Sequence, residues 1–301
     1  METVHTPVLL NETLEALNLR PGTTYVDGTL GGAGHASAVL AKLSGNVTIV
    51  GFDRDNAALK QAKARLTELG CAPKLFNRSF REMEKTLAEN NLVPVEAVLL
   101  DIGISSDQLD VSGRGFSFLR DEPLLMTMEF PVTTTTLTAR DLLNDASEEA
   151  LANMIYAYGE ERYARRIAKK IVEVRQVHPL TTTFDLVSCV DAAVPHFYKK
   201  ERIHPATRTF QAIRIAVNDE LRALEEGIAG GYKSLREGGR LAVITFHSLE
   251  DRIVKQAFRT LEKESGAKVI TKKPIGPSDE EAKANPRARS AKLRVVEKIS
   301  K

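Results

Sequence analysis

At 301 residues and 43% hydrophobic content, the chain can build one large domain or two moderate ones around a real core. Apolar runs such as Leu241-Ala242-Val243-Ile244 fall far short of the ~20 residues a bilayer span needs, and no basic region leads into an apolar stretch near Met1, so a cytoplasmic protein with no membrane partner is expected. Cys71 and Cys189 lie far apart without cysteine or histidine at zinc spacings, which argues against a disulfide framework and for two buried small hydrophobes; no metal is expected.

Apolar runs then alternate with helical patterns. They predict a strand near Tyr25 to Gly28, a helix from about His35, a strand Val47 to Asp53 and a helix Asp55 to Leu69. A short strand at Lys74 to Asn77, a helix from near Ser79 and the run Val95 to Asp101 follow. Strands and helices at this spacing form a parallel sheet wound on both faces, and unbroken apolar runs suit strands covered on both sides. After Asp101 the pattern turns to helices and loops with no convincing strand. The alternation resumes where Leu221, Leu224, Ile228 and Leu235 mark a long helix that Gly238-Gly239 would end. A buried strand Arg240 to Phe246, a helix Leu249 to about Lys263 and a closing strand Lys292 to Glu297 complete the sheet, while Lys272 to Arg289 reads as a flexible loop. The expected architecture is α/β: a discontinuous sheet domain, 1–109 and 213–301, with an all-helical domain, 110–212, inserted after the fourth strand.

The formal net charge of +2 conceals an uneven distribution. Lys283 to Lys301 holds seven Lys or Arg against one Glu, and Arg162 to Arg175 holds six against one. In the second stretch Tyr163, Ile167, Ile171 and Val174 recur on the helical period, giving an amphipathic helix with a cationic face. Such a face is usually just solvated. Taken with the tail and with Lys199, Lys200, Arg202, Arg208 and Arg214, it points to a polyanion such as RNA.

Val26-Asp27-Gly28-Thr29-Leu30-Gly31-Gly32-Ala33-Gly34-His35 reads as a strand, a tight loop and a helix start. Glycine tolerates positive φ, and a loop of so little side-chain volume lets a ligand approach the backbone. Asp53, closing the second strand, is placed to accept hydrogen bonds from a ribose, so an adenosine-containing cofactor is indicated. The spacing Gly28-x-x-Gly31-Gly32-x-Gly34 departs from the strict dinucleotide pattern. Asp27 can hold, directly or through water, the amino end of a methionine moiety, and the motif looks like the first motif of class I S-adenosylmethionine methyltransferases.

Further strings narrow the resemblance: His5-Thr6-Pro7-Val8-Leu9-Leu10, Leu100-Asp101-Ile102-Gly103-Ile104-Ser105-Ser106, Arg114-Gly115-Phe116-Ser117-Phe118 and Tyr158-Gly159-Glu160-Glu161-Arg162. So do His204-Pro205-Ala206-Thr207-Arg208-Thr209-Phe210-Gln211, Phe246-His247-Ser248-Leu249-Glu250-Asp251-Arg252 and Asn285-Pro286-Arg287-Ala288-Arg289-Ser290. Almost end to end, the chain resembles the RsmH/MraW family, which methylates N4 of a cytosine in the decoding region of bacterial 16S ribosomal RNA. The resemblance implies S-adenosyl-L-methionine as cofactor and 16S rRNA, within the small subunit or its precursor, as partner. It implies that Ala33, Gly34 and His35 line the cofactor loop, that Asp53 contacts the ribose, that Phe80 packs beside the adenine, and that Asp101 and Gln108 complete the pocket. By residue type alone Phe80 reads as core and Gln108 as an ordinary loop residue. Where the family has Pro-Leu-Asp-Met-Arg-Met, this chain has Pro123-Leu124-Leu125-Met126-Thr127-Met128, so an acidic and a basic residue are missing together.

The implied reaction is an in-line displacement at a sulfonium methyl, promoted by alignment and by acceptors for the amino protons. No residue is assigned as that acceptor: Asp101, backbone carbonyls of its loop and His247 are candidates, and His247 reads equally as a satisfied strand-end residue. To be reached, the base must leave its stack or be already unpaired. A methyltransferase of the same fold acting on DNA or a protein amine, and a non-catalytic ribosome-assembly factor, are the rival readings. The oligomeric state, a homodimer included, is open.

Overall fold

The computed structural model describes residues 7–105, 108–109 and 111–299. His5, Thr6 and Ser106 of the strings above lie outside them. The chain divides into two compact units, residues 1–103 with 221–301, and residues 104–220. The breaks fall at residues 103/104 and 220/221, outside the expected 110 and 212, because the loop after the fourth strand and the whole helix ending at Asn218 pack with the second unit.

The first unit holds a seven-stranded sheet. Its elements are α1 (Leu10–Ala16), β1 (Thr23–Asp27), α2 (Gly34–Lys42), β2 (Val47–Phe52), α3 (Asn56–Glu68), β3 (Lys74–Phe76), α4 (Met83–Glu89) and β4 (Val95–Asp101). In the second unit come α5 (Ala139–Asp145), α6 (Glu148–Gly159), α7 (Ala164–Arg175), α8 (Thr183–Ala193) and α9 (Thr207–Asn218). The first unit resumes at Leu221, one residue into α10 (Glu220–Ser234), and continues with β5 (Leu235–Thr245), α11 (Ser248–Glu264), β6 (Ala267–Val269), α12 (Asp279–Ala284) and β7 (Lys292–Lys298). The strand order is β3-β2-β1-β4-β5-β7-β6; β1 to β5 run parallel, and β7 is antiparallel to both neighbours.

Successive strand residues face opposite sides, and both sides are covered. Tyr25, Ile49, Leu99 and Ile244 pack in one cluster, whereas Val26, Val50, Leu100 and Val243 pack in another. This double cover is why the strands read as unbroken apolar runs. Each fully buried Val, Leu or Ile contributes about 1.5–3 kcal/mol, so these runs hold the strand ends in place.

Expectations for the end of α10, for the stretch 272–289 and for the burial of Cys71 are corrected, and β6 was not foreseen. The helix α10 ends at Ser234, and Gly238-Gly239 lie inside β5, where the partner of β4 jumps from Leu235 to Arg240; Gly238 has φ 74° and Gly239 passes close to Glu96 O, so the pair shapes a bulge. The short strand β6 is half polar and gave no periodic signal. The stretch 272–289 contains α12, capped by Ser278, whose Glu281 accepts the Leu9 N–H at 2.8 Å. Cys189 is buried but Cys71 is only half-buried, and both are free thiols.

In the second unit, Leu143, Leu151, Ile155, Ile167, Ile171, Leu186 and Phe210 form the core. Thr138 and Thr182 start α5 and α8 with capping boxes. Between Pro123 and Met128, Met126 adopts φ 49°, a left-handed conformation held by three groups. Its N–H donates to Arg114 O at 2.7 Å, its carbonyl accepts from Asn218 Nδ2 at 2.7 Å, and the Met128 N–H donates to Asn218 Oδ1 at 2.7 Å. Thr127 is buried here and its hydroxyl accepts the Glu129 N–H, while Leu125 is half-buried. Both uncharged residues therefore sit where a lone charge would be costly. Among the described residues no helix is long and apolar enough to cross a membrane.

Candidate cofactor site

In a parallel sheet the carboxyl ends of neighbouring strands open on one edge, and there β1, β2 and β4 bring Asp27, Asp53 and Asp101 together. Asp27 is buried and accepts from the Thr29 N–H and the Tyr25 hydroxyl, each at 3.1 Å. The Thr29 hydroxyl in turn accepts the Asp101 N–H at 2.7 Å, tying the loop after β1 to the end of β4. Asp53 takes the Gly31 N–H on Oδ2 at 2.9 Å and the Asp55 N–H on Oδ1 at 2.8 Å, and Asn77 donates to its backbone carbonyl at 3.0 Å. With the Arg54 N–H as a third backbone donor, the Asp53 carboxylate still retains lone-pair capacity for a further donor.

Two glycines of the loop leave no room for a side chain, whereas Gly32 faces open space. A Cβ on Gly28 would lie 2.4 Å from Leu100 Cδ2, and one on Gly34 2.6 Å from Pro7 Cγ. Ala33 holds φ 60° as it enters α2, a conformation that costs a non-glycine residue free energy. His35, the second residue of that helix, is buried; its Nε2 donates to Val8 O at 3.1 Å, and its Nδ1 is 3.7 Å from Asp101 Oδ2, too far for a hydrogen bond. Phe80 is half-buried and lies beside Gly28 on one side and Gly227 on the other, where a Cβ would come within 2.4 Å of its ring. It is thus both a core contact and a wall next to the loop.

Burial sets the electrostatics. It pushes the Asp101 carboxyl up to about 8, with the charges of Asp27 and Glu250 adding to the effect. Asp27 rises to about 6, chiefly from burial, with the Thr29 N–H and the Tyr25 hydroxyl restraining the shift. Asp53 is raised by burial against the opposing pull of its backbone donors. Asp101 Oδ1 is buried and accepts no hydrogen bond. Carboxyls crowded in this way are completed by a ligand bearing positive charge and N–H or O–H donors.

Six of the seven expected cofactor residues, Ala33, Gly34, His35, Asp53, Phe80 and Asp101, belong to this edge of the first unit. Gln108 belongs to the second unit, where its Oε1 accepts the Ser105 N–H and its own N–H donates to Ser105 Oγ, both at 3.1 Å. His247 is the N-cap of α11: its Nδ1 accepts the Glu250 N–H at 3.4 Å and its N–H donates to Glu250 Oε2 at 3.2 Å, which makes it a helix cap. Sequence reasoning missed Tyr25, Thr29 and Asn77. Only the position of Thr29 inside the glycine loop carried a signal; Tyr25 acts on Asp27 two residues along the same strand, and Asn77 reaches Asp53 from beyond β3.

A sheet of this order, with a glycine loop and acidic strand ends that suit a sulfonium and an ammonium group as well as ribose hydroxyls, defines a class I methyltransferase that uses S-adenosylmethionine. The whole-chain comparison agrees. Residues 2–299 match the model of the MraW methylase family, and the chain belongs to that family. Proteins named ribosomal RNA small subunit methyltransferase H resemble it over nearly their full length. The one from Geobacter sp. (strain M21) is 47% identical over 310 residues, covering 98% of each chain. The one from Heliobacterium modesticaldum is 48% identical over 313 residues, again with 98% of each covered. That from Geobacter sulfurreducens is 50% identical over 310 residues, covering 98% of this chain and 99% of its own.

Proposed function

We propose that this methyltransferase acts in the cytoplasm on N4 of a cytosine in the decoding region of 16S ribosomal RNA. The observation that carries the reading is the likeness, over nearly the entire chain, to relatives named for methylation of the small-subunit RNA. Ala33, Gly34 and His35 form the floor of the cofactor loop, Asp53 offers its free lone pairs to the ribose, and Phe80 lies beside the adenine. Asp101 Oδ1 accepts a donor it otherwise lacks. S-adenosylmethionine supplies an electrophilic methyl group on a good leaving group, so the task of the protein is alignment and acceptance of a proton.

The helical unit is the RNA-binding domain in this reading. On α7, Ile167, Ala168 and Ile171 face the core while Arg165, Arg166 and Lys169 are exposed, a spacing suited to backbone phosphates. The test is methyl transfer from labelled cofactor to purified small subunits and to naked RNA, with the product located by nuclease mapping. A single N4-methylcytosine in the decoding region is expected. Label in DNA, in protein or at another nucleotide overturns the acceptor.

A further inference from the structure

The string Asn285-Pro286-Arg287-Ala288-Arg289-Ser290 has no part in the cofactor site, yet it is locally well determined. Asn285 accepts the Arg287 N–H at 3.2 Å, Pro286 opens a 3-10 turn, and Ala288 is fully buried beneath it, which leaves Arg287 and Arg289 exposed. Arg289 and Lys292 line an open cleft of about 420 Å³ together with Phe246, His247, Pro274 and Pro277. A cleft of this size accommodates a nucleotide.

Its place in the sheet is informative. Thr245 at the end of β5 pairs with Lys292 at the start of β7, so the cleft opens on the same carboxyl edge as Asp101. β7 is two strands from β4, roughly 10 Å at ordinary strand spacing. Phe246 joins the two places: a Cβ on Gly103, two residues past Asp101, would be 3.1 Å from its ring, and the same ring lines the cleft.

The balance of charge is positive. Asp251 is shared by Arg294 at 2.7 Å and Lys292 at 3.3 Å, and Glu250 is engaged by the N–H groups of Phe246 and His247. Arg289 donates through Nε to Ala282 O at 3.1 Å, and its remaining guanidinium donors have no protein partner among the described residues. A guanidinium fork and an ammonium beside an aromatic ring and two proline faces match a phosphate joined to a stacking base.

We infer that this cleft binds a nucleotide of the RNA substrate neighbouring the target cytosine, its phosphate on Arg289 and Lys292 and its base against Phe246 and the two prolines. The inference rests on the RNA reading above. Anisotropy of a labelled single-stranded oligoribonucleotide carrying the target cytosine, measured over a salt series, tests it in parallel with methyl transfer. For Arg289→Gln, binding weakens about tenfold and the slope of log affinity against log salt shrinks by about 0.7, the signature of one lost phosphate contact. Arg289→Lys restores much of the slope, and Arg287→Gln, which removes equal charge outside the cleft, has a smaller effect. Equal losses for Arg287→Gln and Arg289→Gln, or no loss for the latter, overturn the cleft site, and displacement of RNA by a micromolar mononucleotide assigns it to a free nucleotide instead. Methyl transfer to a different acceptor overturns the 16S reading while the binding comparison still decides the cleft.

Discussion

Asp27, Asp53 and Asp101 stand at the ends of buried strands, where backbone N–H groups and neighbouring side chains set their positions and burial raises their affinity for protons. Arg165, Arg166 and Lys169 stand on the exposed face of α7, aligned by helical spacing, with the Arg166 guanidinium lying over the Tyr163 ring at 5.7 Å. The first arrangement is preorganised for one small ligand, because its charges cannot relax into water. The second remains solvated and adjusts to an extended polyanion. Single substitutions therefore act strongly at the sheet edge, whereas on the helix the charges count together and through salt.

The largest effect is expected for Asp53→Ala. It strands the Gly31 and Asp55 N–H groups and removes the ribose acceptor, so the dissociation constant for S-adenosylmethionine rises by about 100-fold, the equivalent of two hydrogen bonds to a charged group. Calorimetry measures this directly, and an unchanged constant would place the cofactor elsewhere. Next comes joint charge reversal at Arg165, Arg166 and Lys169. Loss of up to three phosphate contacts weakens RNA binding by tenfold or more at low salt and flattens its salt dependence, with cofactor affinity unaltered. An affinity that matches the wild type across a salt series removes α7 from the interface.

The pH response has a smaller amplitude and a definite sign. A cationic ligand favours ionised Asp101, whose carboxyl holds its proton up to about pH 8, so cofactor affinity increases by roughly fivefold from pH 7 to pH 8. Asp101→Asn removes that dependence. In the ligand-free protein the sign reverses: the stability contributed by protonated Asp101 is complete below 3.8 and is lost as pH rises through about 8. Thermal melts with and without cofactor separate the two effects. The smallest change is Ser147→Ala, which removes the cap on α6 and costs about 1 kcal/mol of stability in denaturant melts, leaving both binding constants intact. A larger loss would mean that Ser147 contributes beyond its cap.

Much of the sheet was readable because β1, β2, β4 and most of β5 are covered on both faces and hence continuously apolar. The glycine loop was readable because Gly28 and Gly34 have neighbours closer than a Cβ allows. What escaped was encoded at a distance. The strand β6 exists by pairing with β7, and α12 is anchored by Glu281 reaching Leu9, far away along the chain. Gly238-Gly239 carried the right signal for a positive φ but in a bulge instead of a helix end.

The residues alone determined an α/β sheet interrupted by helices, an adenosine-type loop ending in His35, acidic strand ends and a cationic helix, since each follows from periodicity, steric volume or local charge. The strand order, the tie from Thr29 to Asp101, the protonation of Asp101 and the cleft between β5 and β7 were decided only by tertiary structure. Each depends on groups that folding brings together from different strands, and a carboxyl group's affinity for its proton is set by that burial and that company.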